Sequence, residues 1–556
     1  MVRATFSGFN TALSALQANQ KRLDITGQNL SNMNTAGYTR QQLEASSLNY
    51  TNPVSHYSNG NETAVGFGVS MDRVSQIRDP YLDIQYRSQS ADCSYTNRLQ
   101  TALNSLSKVL DETTISGIRQ AFDDVQSTLT SMQDPAKVSD PIYESELRTK
   151  MQSVCNLFNQ ASRQITQAEQ NEFQRLTGEG SSEQGDVQKI NDILRQIGDL
   201  NVQIKRNQIA GHPSLELQDE RNLLLDELSG YIPIETRYYK DDAHSGNNAY
   251  DYDANGAVIG KKDWPDDLEV SMNYIDAQGK SQKLILVNGS DLGADGLTKN
   301  YGQLSVLKGN DHQITASVSD PTNISIKFEK APSYQVNGQA ATDVYAELNG
   351  IHFEGGSLQA SLDMLQKKGT GNVINGSVDD VRGYQYYSEK LDQLADTFAK
   401  SMNASNNGNN HKDQNLLSNS TDDSTNGITA GNIGISKGWT SGTIHISTDG
   451  TNRTDTILDM IAAMKDTKKL NGKTFADYMN NLSTQLASDS SSNQTALKTG
   501  TTVLNSIQDS RDSLSGVSLD EEATNMMAYV SAYNAASRLM TALDEVLNTL
   551  ISNTGA

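Results

Sequence analysis

The sequence predicts a mainly α fold with inserted β structure, in which helices at the two ends of the chain form a coiled coil. Heptad-spaced apolar residues mark the N-terminal region, and a similar stripe marks the C-terminal region. Between them the helical period persists over long stretches and gives way near residue 231 to short alternating runs. We therefore expect terminal coiled-coil helices, a nested antiparallel helical bundle and a looped-out β domain.

The N-terminal stripe follows alternating steps of three and four residues. Its large apolar members are Phe6, Phe9, Leu13, Leu16, Leu23 and Leu30. Gln20 and Gly27 occupy the two remaining seam positions, and a glycine inside a helix costs about 1 kcal/mol relative to alanine. We expect this helix to need a partner and to end in the turn-forming stretch 32–37.

The closing helix begins with a capping signal, because Ser518 precedes Glu521 by three residues and each can satisfy the other's backbone. The apolar residues of this helix are Leu519, Ala523, Met526, Val530, Tyr533, Ala536, Met540, Leu543, Leu547 and Leu550. The step from Tyr533 to Ala536 is shortened. We interpret it as an adjustment, since an unbroken heptad would bring Ser537 and Asp544 into the seam.

Two such stripes at opposite ends of one chain allow two interpretations. They could be edge helices of one domain core, or they could pack mainly between subunits. Ordering a helix of this length costs more free energy than one half-buried stripe returns, so each helix depends on partners. We favour packing of the N-terminal stripe against Met526, Val530, Tyr533, Met540 and Leu547, both within and between subunits.

The periodicity divides the chain into five parts. Residues 1–45 and 515–556 form the terminal coiled-coil assembly domain, and residues 46–91 form an extended region with strands. The helical bundle comprises residues 92–230, 384–404 and 455–514. Residues 231–355 form the inserted β domain. Residues 405–454, rich in Asn, Ser and Gly, form a small insert with two short strands between 433 and 447.

The β domain has predicted strands at 268–274, 283–287, 304–307, 324–328 and 345–353, separated by glycine-containing turns. The turn at 251–256 matches the first half of an EF-hand loop. Lys262 stands where a bidentate glutamate would be needed, so we interpret this segment as a hairpin turn and not as a calcium site.

Composition disfavours several classes of function. The formal net charge is −22, and no long basic run supports nucleic-acid binding. Seven scattered histidines and two cysteines, Cys93 and Cys155, show no metal-ligand spacing, and no P-loop, HExxH or triad arrangement occurs. We predict no catalytic residue, cofactor or metal. The sequence also shows no apolar segment typical of a cleaved secretion signal or a membrane span.

Two short motifs resemble signatures of flagellar proteins. The motif residues are Asn29, Asn32, Asn34, Thr35, Gly37, Tyr38 and Arg40 near one end, and Gly516, Asp520, Glu521 and Glu522 near the other. They are similar to those of the flagellar rod, hook and junction proteins. Blocks at 65–69, 78–82 and 219–229 are similar to the junction proteins between hook and filament. Val530 departs from that family, which tends to have a polar residue there.

The resemblance implies a non-enzymatic structural subunit of the extracellular bacterial flagellum. Such proteins form a ring of identical subunits at the hook–filament junction, where they contact the hook protein and the second junction protein. They are exported unfolded by the flagellar type III apparatus, with an export chaperone, and their termini fold on assembly. The assembly interface is then expected to comprise the N-terminal stripe together with Leu519, Leu543 and the five C-terminal residues that we favour as its partners.

Two alternatives remain. A hook or distal rod protein would share the motif at 37–40, although the long heptad helices from 92 to 230 and the acidic start of the last helix oppose it. A secreted adhesin or glycan-binding protein would use the β insert as its active part.

Overall fold

A computed structural model gives the fold of the chain. The structure describes residues 2–48, 68–110, 117–138, 140–180, 182–210, 212–240, 250–252, 258–261, 266–275, 280–289, 299–308, 324–329, 335–336, 339–340, 344–346, 353–374, 377–408, 413–447 and 454–554. It is mainly helical with small antiparallel sheets, which confirms the predicted fold class. Within these ranges, no helix has an apolar stretch that would suffice to cross a membrane.

Long helices dominate the chain. They are α1 (Val2–Ser31), α2 (Pro80–Leu110), α3 (Ile118–Ser131), α4 (Pro135–Val138), α5 (Pro141–Thr177), α6 (Asp186–Ile209), α7 (Leu215–Tyr231), α8 (Ser357–Gln366), α9 (Tyr384–Asn407), α10 (Lys437–Ser441), α11 (Asp455–Lys465), α12 (Phe475–Ser515) and α13 (Leu519–Thr554). A short 3-10 helix spans Lys468–Leu470.

The strands are short and pair antiparallel. They are β1 (Gln41–Ser47), β2 (Val69–Gln76), β3 (Glu235–Lys240), β4 (Tyr250–Tyr252), β5 (Val258–Lys261), β6 (Asp266–Ile275), β7 (Ser281–Asn288), β8 (Gln303–Lys308), β9 (Ile324–Glu329), β10 (Gln335–Val336), β11 (Gln339–Ala340), β12 (Val344–Ala346), β13 (Val373–Ile374), β14 (Ser377–Val378), β15 (Leu417–Asn419) and β16 (Ile433–Ile435). Two sheets have three strands, in the orders β3-β6-β7 and β12-β9-β8, and the other strands form pairs.

The bundle core draws on distant parts of the chain. Phe122 of α3 lies with its ring centroid 5.9 Å from that of Phe158 on α5, 5.2 Å from Phe398 on α9 and 5.5 Å from Phe475 on α12. The pairs with Phe158 and Phe398 are edge-to-face, and such pairs at these distances stabilise a core beyond the area that they bury. Helices from both halves of the chain therefore share one core, and the β insert lies between these halves in sequence, as the nested pattern predicted.

The β insert packs directly against helix α6 of the bundle. The side chain of Asn191 on α6 donates to the Leu304 carbonyl oxygen at 2.8 Å and accepts from the Leu304 N–H at 2.7 Å. Buried residues of β6 and β7, among them Leu268 and Leu286, belong to the same apolar core as the helices. Alternating strands offer one apolar face that must be covered, and α6 covers it.

Most predicted strands of the insert correspond to β6, β7, β8 and β9. Of the strand predicted at 345–353, Tyr345 and Ala346 belong to β12, Phe353 lies outside a strand, and 347–352 lie outside the described residues. In the turn at 251–256, Asp251 and Tyr252 belong to β4, and the rest lies outside the described residues.

Two other expectations were wrong in part, and one helix was missed. Helix α2 begins at Pro80, well before residue 92, because Pro80 suits a first helical position and the apolar period is weak over its first turns. Helix α8 was not predicted, and its buried face includes Gln359 and Asp363, which hydrogen-bond to each other at 2.6 Å. Between 433 and 447 only β16 is a strand, since Ser436 caps α10 instead.

Candidate assembly site

The helices from the two ends of the chain, α1 and α13, pack against each other in antiparallel directions. Gly8 lies beside Leu543, and Arg22 lies beside Tyr529. We call this pair, with the β1–β2 hairpin packed on α1, the terminal module. Its seam on α13 consists of the residues that are less exposed than their neighbours: Glu522, Met526, Tyr529, Tyr533, Ala536, Met540, Leu543 and Leu547.

The α13 seam is a regular alternation of four and three residues, and this corrects the predicted stripe. Val530 is 43% exposed and Leu519 is 53% exposed, because Tyr529 and Glu522 occupy the seam instead. Both are accommodated by arginines: Glu522 binds Arg40, and Tyr529 lies under Arg22. The step from Tyr533 to Ala536 is thus one of the regular three-residue steps, not an adjustment.

The buried residues of α1 are mostly small or polar and are not those of the predicted stripe, which differs from the prediction. Leu13 is 47% exposed, while Phe9, Leu16, Leu23 and Leu30 are half-buried, and the Phe6 side chain lies outside the described residues. The buried residues are Ala12, Ala18, Asn19, Ile25, Thr26 and Asn29. Small residues allow close approach: a Cβ atom added to Gly8 would lie 3.3 Å from a methyl carbon of Leu543.

The β1–β2 hairpin covers another side of α1. The Val69 N–H donates to the Ser14 hydroxyl oxygen at 3.2 Å. The neighbouring Gly68 has φ +112°, and a Cβ atom there would lie 2.1 Å from that oxygen. Only glycine can adopt this backbone conformation at such a short distance from the helix.

Asn29, at the end of α1, holds the chain as it turns into β1. Its side-chain oxygen accepts from the Gln41 N–H at 3.0 Å and from the Tyr38 hydroxyl at 2.9 Å. Its amide nitrogen donates to the Gln41 carbonyl oxygen at 2.9 Å. A single buried side chain therefore satisfies three groups of the segment 38–41.

Arg40 connects this turn to the start of α13. Its Nε donates to Glu522 Oε1 at 2.8 Å, and its Nη1 donates to Glu521 Oε2 at 2.7 Å. Its backbone N–H donates to the Ser515 carbonyl oxygen at 2.9 Å. Because Glu522 is buried and Arg40 mostly so, this pair is less screened by solvent than a surface ion pair.

A second charged cluster joins three helices of the bundle next to the terminal module. Asp226 of α7 accepts from Arg87 of α2 and from Arg511 of α12, each at 2.8 Å. Arg511 also binds Asp83 at 3.1 Å, and its guanidinium lies 4.3 Å from the ring centroid of Tyr86. We call these five residues the α2–α7–α12 cluster. It fixes the end of α12 where the chain crosses into α13.

The two charged groups face a polar cleft of about 790 Å³, whose walls include Tyr38, Arg40, Arg511 and Glu521. Across the described ranges, no group of three His, Cys, Asp or Glu residues is placed to hold a metal ion. The arrangement joins chain segments mechanically, through ion pairs between residues hundreds of positions apart in sequence.

Comparisons with known proteins match both ends of the chain and the bundle. A family model described as the flagellar hook-associated protein FlgK helical domain matches residues 103–259. A flagella basal body rod protein model matches residues 9–39, and the C-terminal model of basal body rod FlgEFG proteins matches residues 510–553. Flagellar hook-associated protein 1 of Bacillus subtilis is 30% identical over 567 residues, with 99% of each chain covered. The chain belongs to the flagellar hook-associated protein 1 family.

As a member of that family the chain is a structural component of the flagellum. Hook-associated protein 1 of Salmonella typhimurium is 28% identical over 230 residues, covering 41% of this chain and 38% of the relative. A solved structure, the flagellar hook junction protein FlgK from Burkholderia pseudomallei, is 18% identical, with 61% of this chain and 45% of that chain covered and a TM-score of 0.38.

The structure brings together about half of the residues that resemble the hook-associated protein signature. In this group Tyr38 binds Asn29, and Arg40 of the same turn binds Glu521 and Glu522. Gly516 adjoins it, because Arg40 binds the preceding carbonyl and a Cβ atom on Gly516 would lie 2.4 Å from the Asp512 oxygen. Outside the group are Asn32, Asn34, Thr35, Gly37 and Asp520, of which Asn32 binds Thr35 at 3.2 Å and Gly37 has φ +78°.

Sequence reasoning missed Tyr529, Arg511 and Asp226 as residues of this site. Asp226 stands in a block that resembles the hook-associated proteins, which is the signal that could have identified it. Arg511 lies 285 positions from Asp226, and no local pattern links them. Tyr529 was passed over because Val530 fitted an apolar stripe equally well.

We expect replacement of Asn29 by alanine to loosen the turn into β1. The variant leaves the buried Gln41 N–H and carbonyl without partners, so the free energy of unfolding of the terminal module should fall by about 2 to 3 kcal/mol. Amide exchange at 38–41 measures this. The matched control, Asn32→Ala, removes exposed hydrogen bonds and should change exchange little. Equal effects from both variants would contradict the role assigned to Asn29.

Asp219 of α7 binds the turn between α1 and β1, and we expect it to make the free energy of unfolding depend on pH in an unusual direction. Its Oδ2 accepts from the Thr39 N–H at 3.1 Å. Burial raises the pKa of Asp219 above its usual value of 3.8, and the Thr39 bonds and Arg78 only partly oppose this. A raised pKa in the folded state means that the contribution of Asp219 to stability is complete below pH 3.8 and is lost as pH rises through the folded pKa.

Wild type should therefore gain stability relative to Asp219→Asn as the pH falls from 7 towards 3.8, since the asparagine does not titrate. Urea unfolding of both proteins at pH 7, 5 and 4 measures the difference. If the Asp219→Asn variant instead gains stability relative to wild type as the pH falls, the hydrogen bonds from Thr39 outweigh burial in setting the pKa of Asp219.

Proposed function

We propose that the chain forms the junction between the hook and the filament as a ring of identical subunits. The observation that carries the proposal is the terminal module, which leaves Leu13, Val530 and other large apolar side chains uncovered in a single copy. The exposed apolar residues of α13 are Leu519, Met527, Val530, Leu539, Val546, Leu550 and Ile551. Such a density of exposed apolar side chains on one helix is typical of an interaction surface.

The composition of the α1–α13 seam supports assembly between copies. Leu13 of α1 is exposed, and the other described residues of its predicted stripe are only half-buried, so the intramolecular contact leaves part of the apolar surface of two helices of 30 and 36 residues uncovered. Fixing the backbone costs about 1 to 2 kcal/mol per residue before hydrogen bonds offset it. The pair therefore gains most of its stability when neighbouring copies cover the predicted interface residues.

The proposed partners are further copies of this chain, the hook protein and the second junction protein. The terminal helices, each weak alone, also suit export of an unfolded chain by the flagellar type III apparatus with a chaperone, followed by folding on assembly outside the cell. No nucleic acid, membrane insertion, cofactor or enzymatic step enters the proposal. The β insert, which shares its core with α6, would face outward from the ring.

Deletion of the gene in the bacterium that carries it tests the proposal. Hooks should remain, filaments should be absent and flagellin should appear in the medium, and the gene supplied in trans should restore filaments. Amide exchange adds a second measurement: α1 and α13 should exchange faster in the monomer than in the assembled flagellum. Normal filaments after deletion, or full protection of both helices in the monomer, would contradict the proposal.

A further inference from the structure

The β1–β2 hairpin covers one flank of α1 and leaves large apolar residues of the other flank partly uncovered. Arg22 lines a crevice beside the hairpin, and at about 100° per residue Leu13 lies roughly 180° around the helix from Arg22. Leu13 is 47% exposed, and its apolar neighbours at heptad spacing are half-buried. We call this set the large stripe, and its members are Phe9, Leu13, Leu16 and Leu23.

A second apolar stripe runs along α13, beside the seam that contacts α1. Alternating steps of four and three residues connect its members, which are all exposed: Ala528, Ala532, Ala535, Leu539, Ala542 and Val546. We call it the outer stripe. It is centred roughly 110° around α13 from the seam, and no helix of the described ranges covers it. Apolar residues at heptad spacing are the pattern by which one helix packs against another, so the outer stripe indicates a helical partner.

The two stripes lie on opposite flanks of the α1–α13 pair. Asn525 of α13 lines the same crevice as Arg22, on the hairpin flank. Ala532 and Leu539 lie roughly 20° and 40° around α13 from Asn525, so the outer stripe borders this flank. Leu13 points away from it. The large stripe of a copy therefore cannot cover the outer stripe of the same copy, whereas two copies can bring the stripes together and keep both seams intact.

We propose that the large stripe of one copy packs against the outer stripe of the next copy. The side chains match in size, because the large stripe consists of phenylalanine and leucine while four of the six outer residues are alanine. Large side chains opposite small ones interdigitate, and alanine lets two helix axes approach closely. The stripes also match in spacing, and they extend over about 21 Å and about 27 Å of helix.

A second copy is the occupant that these features select, since the chain itself provides both complementary faces on helices of the same module. The contact is heterologous, because two different surfaces meet, and repeated heterologous contacts close into rings or extend into helices. The inference rests on the proposed junction ring and names the two faces that join its subunits.

Disulfide cross-linking between two forms of the full-length chain tests the pairing. Both forms are produced in the deletion strain, one with Leu16→Cys and one with an added cysteine at each outer position in turn. The native Cys93 and Cys155 are buried. Mild oxidation of the flagella should link the two forms at one or two neighbouring outer positions. The controls Asn534→Cys and Thr541→Cys, at exposed positions more than about 100° from the centre of the outer stripe, should give less than a tenth of that yield.

Enlarging the outer stripe gives a test that does not depend on the stagger between copies. Ala532→Gln with Ala535→Gln should reduce filaments per cell at least tenfold in the deletion strain. The purified variant should keep the helical content of wild type, since glutamine is a good helix former. Asn534→Gln with Thr541→Gln is the matched control and should leave the number of filaments unchanged.

The inference is overturned if filaments carry no cross-link at any outer position, if the control cysteines react equally well, or if the two glutamine variants behave alike. In each of these cases the junction function stands. Failure of wild type to restore filaments would instead overturn the proposed function.

Discussion

Replacing Asp226 by alanine should lower the free energy of unfolding of the bundle by about 3 to 5 kcal/mol. Asp226 holds Arg87 and Arg511 from two other helices, and the side chains of all three are at most 15% exposed. Without the carboxylate, Arg511 keeps Asp83, but Arg87 keeps only the neutral groups of Asn222 and Thr236, at 3.3 and 3.4 Å. The cost is therefore mainly that of a buried guanidinium without a counter-charge.

Urea unfolding monitored by circular dichroism measures this change, with amide exchange to localise it in α2, α7 and the end of α12. Asp124→Ala is the matched control, because its carboxylate pairs with Lys150 at 3.0 Å at a site where both side chains are about 40% exposed. That surface pair should contribute between 0 and 1 kcal/mol. Similar losses of stability for the two variants would show that Asp226 contributes no more to the free energy of unfolding than a surface ion pair does.

The cluster also illustrates what could be predicted from the sequence. Heptad and 3.6-residue periods identify helices because they depend only on local spacing, so the closing helix was placed within its observed bounds. The α2–α7–α12 cluster depends instead on three helices meeting, and Asp83, Asp226 and Arg511 carry no periodic signal of that meeting. Pairing between distant charges is fixed by tertiary packing, which spacing along the chain does not contain.

The terminal seam shows a subtler limit. Val530 and Tyr529 both fit a stripe with steps of three and four, and hydrophobicity alone favoured Val530. The seam uses Tyr529 because Arg22 covers its ring, and Glu522 because Arg40 neutralises its charge. A polar residue enters a seam when its partner is present, so the predicted stripe is displaced by one position at Glu522 and at Tyr529. Its other seam residues, from Met526 to Leu547, coincide with those observed. The displaced apolar residues are then left outside, where a neighbouring copy can cover them.

Charged residues at these uncovered positions should abolish assembly and leave the monomer folded. In the double variant Leu13→Asp with Val530→Asp, both positions are more than 40% exposed in a single copy, so the monomer should lose only about 1 kcal/mol through helix propensity. Burying leucine or valine against a neighbour contributes about 1.5 to 3 kcal/mol, and burying an unpaired carboxylate there opposes assembly further. A loss of about 4 kcal/mol per contact weakens each contact roughly a thousandfold.

Electron microscopy of the complemented deletion strain should therefore show hooks without filaments, while circular dichroism of the purified variant stays close to wild type. The control, Ile142→Asp with Ile209→Asp, makes the same chemical change at exposed apolar residues of α5 and α6, outside the terminal module. It should keep filaments. Because every copy in a ring repeats the weakened contact, the defect should be all or none per flagellum and not a shortening of filaments. Filaments of normal number from the terminal variant would show that Leu13 and Val530 stay in solvent after assembly.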